Sequence, residues 1–202
     1  MLLKNKQNYI SISQKHIKEV LDILPPWIRD LGVGKIVSIP QKRYDTVKND
    51  HVRGAYFEGE NRIVIYGFLK REISNLDYAE FIYHEIGHIV FKRCLSRNTK
   101  ARWARAREEG FFVELSDLYH FKKLWEEEFC IVFSYYYLEK FLEVKNMKKR
   151  AKAVRKLLQK TPKRLKVISS LTNANRTDSS SDETCVYYQK VHERLKKAIA
   201  GL

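Results

Sequence analysis

The residues best suited to chemistry lie in the segment FIYHEIGHIV, residues 81–90. His84 and His88 are four residues apart, so on a helix their imidazoles share one face and can bind a single metal ion. Glu85 lies beside that pair, where its carboxylate can take a proton from a water and return it to a leaving amine. The HExxH spacing therefore predicts a zinc site with Glu85 as the general base.

The residues around this motif predict an anchored helix. Phe81, Ile82, Ile86 and Ile89 would fix the helix in a core and hold both imidazoles in place. Gly87 weakens a helix, which is explicable if another chain segment or a substrate approaches closely there. The alternative is that the two histidines are structural residues on an apolar helix and that the motif is a chance match.

Two histidines leave a catalytic zinc ion one protein ligand short. The longer pattern H-E-x-x-H-x-x-G-x-x-H is absent, because Phe91 and Cys94 occupy its glycine and last histidine positions. A later segment, LWEEEFCIVFSYYY, offers Glu126, Glu127 and Glu128. A glutamate that faces inward from this aromatic segment needs a cation, and zinc would supply one. The alternative is that the acids stabilise a helix N-terminus through its dipole, and different members of the trio can do different things.

HEIGH followed by EEFCIVFSYYY resembles the gluzincin metallopeptidases related to the catalytic domain of anthrax lethal factor. The resemblance covers about residues 18–140 and includes LPPWI, the strand-like segments at 54–56 and 63–65, and Trp103. It implies that Glu127 is the third zinc ligand, with Cys130 where the family has alanine. The family often carries a supporting acid four residues after the ligand glutamate, and here that position is Ile131.

The resemblance also suggests which group stabilises the reaction's oxyanion. Related enzymes use a tyrosine or histidine just before the glutamate helix, and Tyr119 and His120 lie in that region. His120 matches the spacing better. The alternative is that both are ordinary loop or core residues.

The order of elements predicts an α+β fold. Hydrophobic spacing and turn residues indicate a helix capped by Ser13, a strand over 34–40, a hairpin over 54–66, and a helix that begins at Asn75 or Asp77 and carries HEIGH. A second long helix carries the three glutamates. We expect a zincin-like small mixed sheet packed against these two helices, with one hairpin strand pairing with an extended peptide substrate.

Positive charge is concentrated after this region. The formal net charge is +15, and residues 140–166 contain twelve Lys or Arg against one Glu. The chain is therefore predicted to have a metallopeptidase domain, residues 1–140, followed by a basic helical extension, residues 141–202. The extension could be a solvated helical surface, or it could bind nucleic acid or an acidic protein.

The remaining composition bears on location. No apolar run approaches the roughly 20 residues of a membrane span, and the start MLLKNKQNYI lacks a signal-peptide core. Cys94, Cys130 and Cys185 are odd in number and widely spaced, which favours buried or inert thiols over disulfides or a thiolate zinc site. These features predict a cytoplasmic protein.

The leading prediction is a zinc-dependent metalloendopeptidase with His84, His88 and Glu127 as ligands and Glu85 as base. One alternative is a DNA-associated regulatory or crosslink-repair metallopeptidase of the ImmA/IrrE or SprT type, targeted by its basic tail. Another is a nucleic-acid-binding protein whose zinc site is structural or vestigial.

Overall fold

A 17-residue helix, Tyr78–Cys94, carries the HExxH motif and lies at the centre of the fold. The structure is a computed structural model that describes residues 9–31, 35–45, 50–106 and 121–173. Its helices are α1 (Gln14–Leu21), α2 (Pro26–Arg29), α3 (Lys70–Ser74), α4 (Tyr78–Cys94), α5 (Arg97–Arg105), α6 (Phe121–Val144), α7 (Lys148–Leu158) and α8 (Pro162–Asn173). Its strands are β1 (Tyr9–Ile10), β2 (Lys35–Ile39), β3 (Arg43–Asp45), β4 (Asp50–Val52), β5 (Gly54–Phe57), β6 (Arg62–Tyr66) and β7 (Phe68–Leu69).

The main sheet has the strand order β2-β6-β5 and is mixed. β2 runs parallel to β6, whereas β5 and β6 form an antiparallel hairpin closed by a short 3₁₀ turn at Glu58–Glu60. Within the described residues β5 pairs only with β6, so β5 is an edge strand. Two small antiparallel pairs, β1 with β7 and β3 with β4, flank this sheet.

The core lies between the sheet and the pair of helices α4 and α6. Ile63 and Ile65 on β6 are completely buried, as are Ile82 and Ile86 on α4. Tyr83 and Phe141 join α4 to α6 through an edge-to-face ring contact. Because α4 has apolar residues on most of its surface, it is covered by the sheet on one side and by α6 on the other.

The basic helices pack against α6. Ala151 and Leu158 of α7 and Val167 and Ile168 of α8 are buried in the same core. The domain boundary predicted at 140/141 lies inside α6, and the division into two domains stays a prediction. Residues 159–161 separate α7 from α8, and Pro162 is the first residue of α8, because proline begins a helix well but cannot continue one.

The structure confirms an α+β arrangement with small sheets. Ser13 caps α1, as predicted, since its hydroxyl accepts from the His16 backbone N–H. The hairpin over 54–66 is also confirmed. The short strands β1, β3, β4 and β7 were not predicted, because two- or three-residue strands carry almost no periodic signal. None of the described helices is long and apolar enough to span a membrane.

Candidate metal centre

His84 and His88 lie on the side of α4 that faces α6, one helical turn apart. Their ring centroids are 5.1 Å apart and both side chains are partly exposed. The local helix geometry alone accounts for this arrangement, since residues i and i+4 are neighbours on one face.

Glu127 on α6 faces both histidines. Its Oε2 atom is 3.2 Å from His84 Nε2 and 3.7 Å from His88 Nε2. Ligand atoms around a tetrahedral zinc ion are about 3.3 Å apart, given bond lengths near 2.0–2.2 Å. Both distances from the carboxylate to the imidazoles are close to the spacing of two donor atoms on one zinc ion.

Glu126, the preceding residue, holds the other side of His88. Its Oε1 atom is 2.6 Å from His88 Nδ1 and also 3.7 Å from Lys92 Nζ. A carboxylate at Nδ1 favours the tautomer in which Nδ1 carries the proton and Nε2 presents a lone pair. A neutral His88 then places a lone pair beside the Glu127 carboxylate, and two acceptors at this distance need a proton or a cation between them.

Glu128, the third member of the triplet, points away from the histidines. Its Oε2 atom accepts from Arg164 Nη2 on α8 at 2.7 Å, and both side chains are about 2% exposed. The Arg164 guanidinium also lies 4.9 Å above the Trp103 ring, whose Nε1 donates to the Trp125 carbonyl. The charge of Glu128 is already compensated, so this residue lies outside the metal centre.

Glu85 lies between α4 and the edge strand β5. Its side chain is buried, and its carboxylate accepts a hydrogen bond from the Tyr56 backbone N–H. A Cβ added at Gly54 would lie 2.7 Å from Glu85 Oε1, so a larger residue here would require the Glu85 side chain to shift. The predicted base, Glu85, is therefore in direct contact with the edge strand β5.

The pairing register shows which backbone groups of β5 face outward. The Arg53 carbonyl accepts from the Tyr66 N–H at 2.8 Å, which places Arg53 in a hydrogen-bonded pair with β6. Because such pairs alternate along an antiparallel strand, the backbone groups of Gly54 and Tyr56 face the open edge. The Tyr56 N–H donates to Glu85, and the Gly54 backbone groups and the Tyr56 carbonyl face the open edge of β5.

Gly87 sets the distance between α4 and α6. A Cβ at this position would lie 3.0 Å from the Cys130 Cα and 3.3 Å from its Sγ. The close approach anticipated from the sequence is therefore that of α6. It also brings Cys130 close to the histidines: the ligand atoms of His84, His88 and Cys130 all lie within 4.8 Å of one another.

The Cys130 and Cys94 side chains are both buried. This confirms the prediction of buried thiols for these two cysteines. Burial raises the pKa of Cys130 well above its ordinary value, and the carboxylates of Glu127, Glu126 and Glu85 add to this effect. Since a thiol binds metal as the thiolate, Glu127 is the better third ligand by both distance and charge.

The other titratable groups respond to burial and to one another. Burial raises the pKa of Glu85, although the imidazoles of His84 and His88 act in the opposite direction. Burial lowers the pKa of His88, but the Glu126 hydrogen bond and the nearby carboxylates outweigh it, so the net shift is upward. The pKa of Glu126 is lowered, because its contact with His88 outweighs the effect of burial.

The structure relates to the sequence predictions residue by residue. It brings His84, Glu85, His88 and Glu127 together, and it places Glu128 elsewhere. Tyr119 and His120 lie outside the described residues, as does Cys185. The role of Glu126 was not predicted, and the available signal was its position one residue before the expected ligand, about 100° around the helix.

Comparison with known proteins gives no match: no protein-family profile, no curated protein and no solved structure matches this chain. Its function is therefore argued from the geometry of the site.

Proposed function

We propose that this chain is a zinc-dependent metalloendopeptidase. The observation that carries the proposal is the convergence of the Glu127 carboxylate on the Nε2 atoms of both HExxH histidines, at 3.2 and 3.7 Å. Two imidazoles and one carboxylate are the protein ligands of many catalytic zinc sites, which keep a fourth position open for water. The buried Glu85 carboxylate follows His84 directly in the chain. The zincin-like reading of the fold belongs to the same proposal.

His84, His88 and Glu127 would hold the zinc ion, which when bound would act as a Lewis acid toward water and the scissile carbonyl. Glu126 keeps the His88 ring in place through Nδ1 and makes Nε2 the better donor. Each of these roles uses a contact that the folded chain already makes.

Glu85 would act as the general base and then as the general acid. Its carboxylate takes a proton from the attacking water and gives it to the leaving amine. The Tyr56 N–H fixes the position of this carboxylate. Burial raises the pKa of the Glu85 carboxyl group, which favours a group that can be protonated transiently.

The open edge of β5 would bind the substrate. An extended peptide adds a strand to this edge by hydrogen bonds to the outward-facing backbone groups at Gly54 and Tyr56. Since the same strand contacts Glu85, the scissile bond of such a peptide would lie beside the base. This arrangement favours unstructured peptide substrates.

The decisive experiment replaces Glu85 by Gln and measures both zinc content and cleavage of an unstructured peptide library. We expect one zinc per chain in both proteins and a loss of cleavage on the order of 10²–10⁴-fold, the usual contribution of a general base. The control is Glu60→Gln, an exposed glutamate in the turn beside β5. Equal cleavage by wild type and Glu85→Gln would refute the mechanism.

Cys130 favours one other candidate, a protein with a structural zinc site. If Cys130 joined His84, His88 and Glu127, four protein ligands would close the metal shell and leave no position for water. Cys130→Ala separates the two functions. The peptidase proposal expects unchanged zinc affinity and unchanged cleavage, whereas a closed site expects weaker zinc binding, and its cobalt form would lose a sulfur-to-metal charge-transfer band.

The basic extension does not decide between a plain peptidase and one that acts at DNA. Lys149, Lys152 and Lys156 are exposed on α7, which is compatible with nucleic-acid binding and with a solvated helix surface. The cytoplasmic location rests on the sequence alone and stays a prediction.

A further inference from the structure

A second concave site lies where β1, β3 and the segment that joins β6 to α3 meet, and positive charge dominates it. It has a volume of about 170 Å³ and is lined by Lys42, Arg43, Arg53 and Arg71 together with Tyr9 and Tyr66. We call it the cationic pocket. Its residues come from four separate parts of the chain, so neither composition nor spacing indicated it.

Arg53 forms the structural base of this pocket. Its guanidinium binds Glu72 through two nitrogens, at 2.6 and 3.2 Å, and donates to the Gly67 carbonyl at 2.8 Å. Glu72 in turn accepts from the Leu69 backbone N–H. This network joins α3 to the start of β5 and uses the charge of Glu72 entirely within the fold.

Two other cations of the pocket, Lys42 and Arg43, contact aromatic rings. Arg43 donates to the Tyr66 hydroxyl at 2.9 Å, and its guanidinium lies 5.5 Å above the Tyr66 ring. Lys42 Nζ lies 5.3 Å above the Tyr9 ring. Such contacts orient a cation but leave its charge uncompensated.

Among the side chains that the structure describes, the cations of the pocket outnumber its acids. Lys42, Arg43 and Arg71 form no ion pair with any of these side chains, and Glu72 neutralises Arg53. Like charges held close together repel, so the arrangement is unfavourable unless an anion occupies it. Tyr66 can also donate its own hydroxyl proton, because it already accepts from Arg43.

We infer that the cationic pocket binds a phosphate monoester group. A phosphomonoester carries about −1.5 to −2 charges near pH 7 and three strong acceptor oxygens, which suits three uncompensated cations better than a carboxylate does. The volume is below the roughly 300–1,000 Å³ typical of drug-sized ligands. The pocket thus takes the phosphate group itself, either as free phosphate or on a phosphorylated side chain whose remainder stays outside.

The test is titration calorimetry on the full-length chain at constant ionic strength. The probes are inorganic phosphate, acetate, and a short peptide with a central phosphoserine beside its unphosphorylated form. We expect phosphate to bind and Lys42→Gln/Arg43→Gln to weaken its binding by at least about tenfold, since both cations would form charge-assisted hydrogen bonds to the phosphate oxygens.

Two further variants keep the test interpretable. Arg71→Gln removes an exposed cation that has no ion-pair partner among the described side chains, and it should weaken phosphate binding by about threefold. Lys149→Gln/Lys152→Gln removes two exposed charges on α7 and should change nothing. Tighter binding of the phosphopeptide than of free phosphate would identify a phosphorylated chain as the source, and equal binding would identify the free anion.

Three results would overturn the inference. They are the absence of binding by both phosphate probes, equal binding of acetate, and phosphate binding that survives Lys42→Gln/Arg43→Gln. The last would place the anion elsewhere, for example at the metal centre. Because the readout is binding and not cleavage, failure of this inference leaves the peptidase proposal untouched, and the converse also holds.

Discussion

Glu127 and Glu128 are neighbours on α6, yet they lie in two regions with opposite electrostatic character. Glu128 faces α8 and is paired with Arg164 in a site from which water is excluded. Glu127 faces α4 and meets two imidazoles that are neutral unless protonated. In the first region the acid is paired with a cation of the chain itself, whereas we propose that the second region binds an added cation. The difference shows why a buried acid is by itself weak evidence for a metal site.

The largest expected effect is the loss of stability when the Glu128 carboxylate is removed. Glu128→Gln removes the carboxylate that pairs with the buried Arg164 guanidinium, so the free energy of unfolding should fall by about 3–5 kcal/mol. Zinc content and cleavage by the protein that remains folded should not change. Chemical denaturation measures the first quantity, and metal analysis with a peptide assay measures the others.

A double variant serves as the control for this pair. Glu128→Leu combined with Arg164→Met replaces both charges by apolar groups, and most of the lost stability should return. If the double variant were as unstable as Glu128→Gln, packing and not the unpaired charge would explain the loss.

Glu127→Gln should produce the reverse pattern. Loss of the carboxylate should weaken zinc binding by more than about 100-fold, because even the outer partners of a metal site contribute roughly 10–100-fold. The unfolding free energy of the metal-free chain should change less than in Glu128→Gln, since Glu127 and the two histidines that it faces are partly exposed. Zinc should raise the melting temperature of wild type and Glu128→Gln but not of Glu127→Gln. A zinc-dependent rise in Glu127→Gln would remove this residue from the ligand set.

Glu126→Gln should have the smallest effect of the three. The amide still contacts His88 Nδ1 but no longer carries the charge that makes the imidazole a strong donor, so zinc affinity should fall by about 10–100-fold. Competition with a chelator of known affinity measures this change. An effect as large as that of Glu127→Gln would instead make Glu126 a ligand.

Local signals predicted much of the fold. The cap at Ser13, the hairpin with its polar turn and the two long helices follow from interactions among residues close together in the chain. The parallel pairing of β2 with β6 could not be predicted in the same way, because β3, β4 and β5 lie between the two strands in the chain and the pairing depends on what both bury. The cationic pocket needed four separate segments to meet.

The candidate metal centre also combines features set by local geometry with features set by long-range packing. His84, Glu85 and His88 were determined by the sequence itself, since 3.6 residues per turn places the two imidazoles on one face wherever the helix lies. Which glutamate of the triplet would face them was decided only by the tertiary structure. Each step along α6 turns the side chain by about 100°, so the outcome depends on how α6 is rotated against α4. The contact between Gly87 and Cys130 and the burial of Arg164 against Glu128 hold that rotation, and neither can be read from the chain.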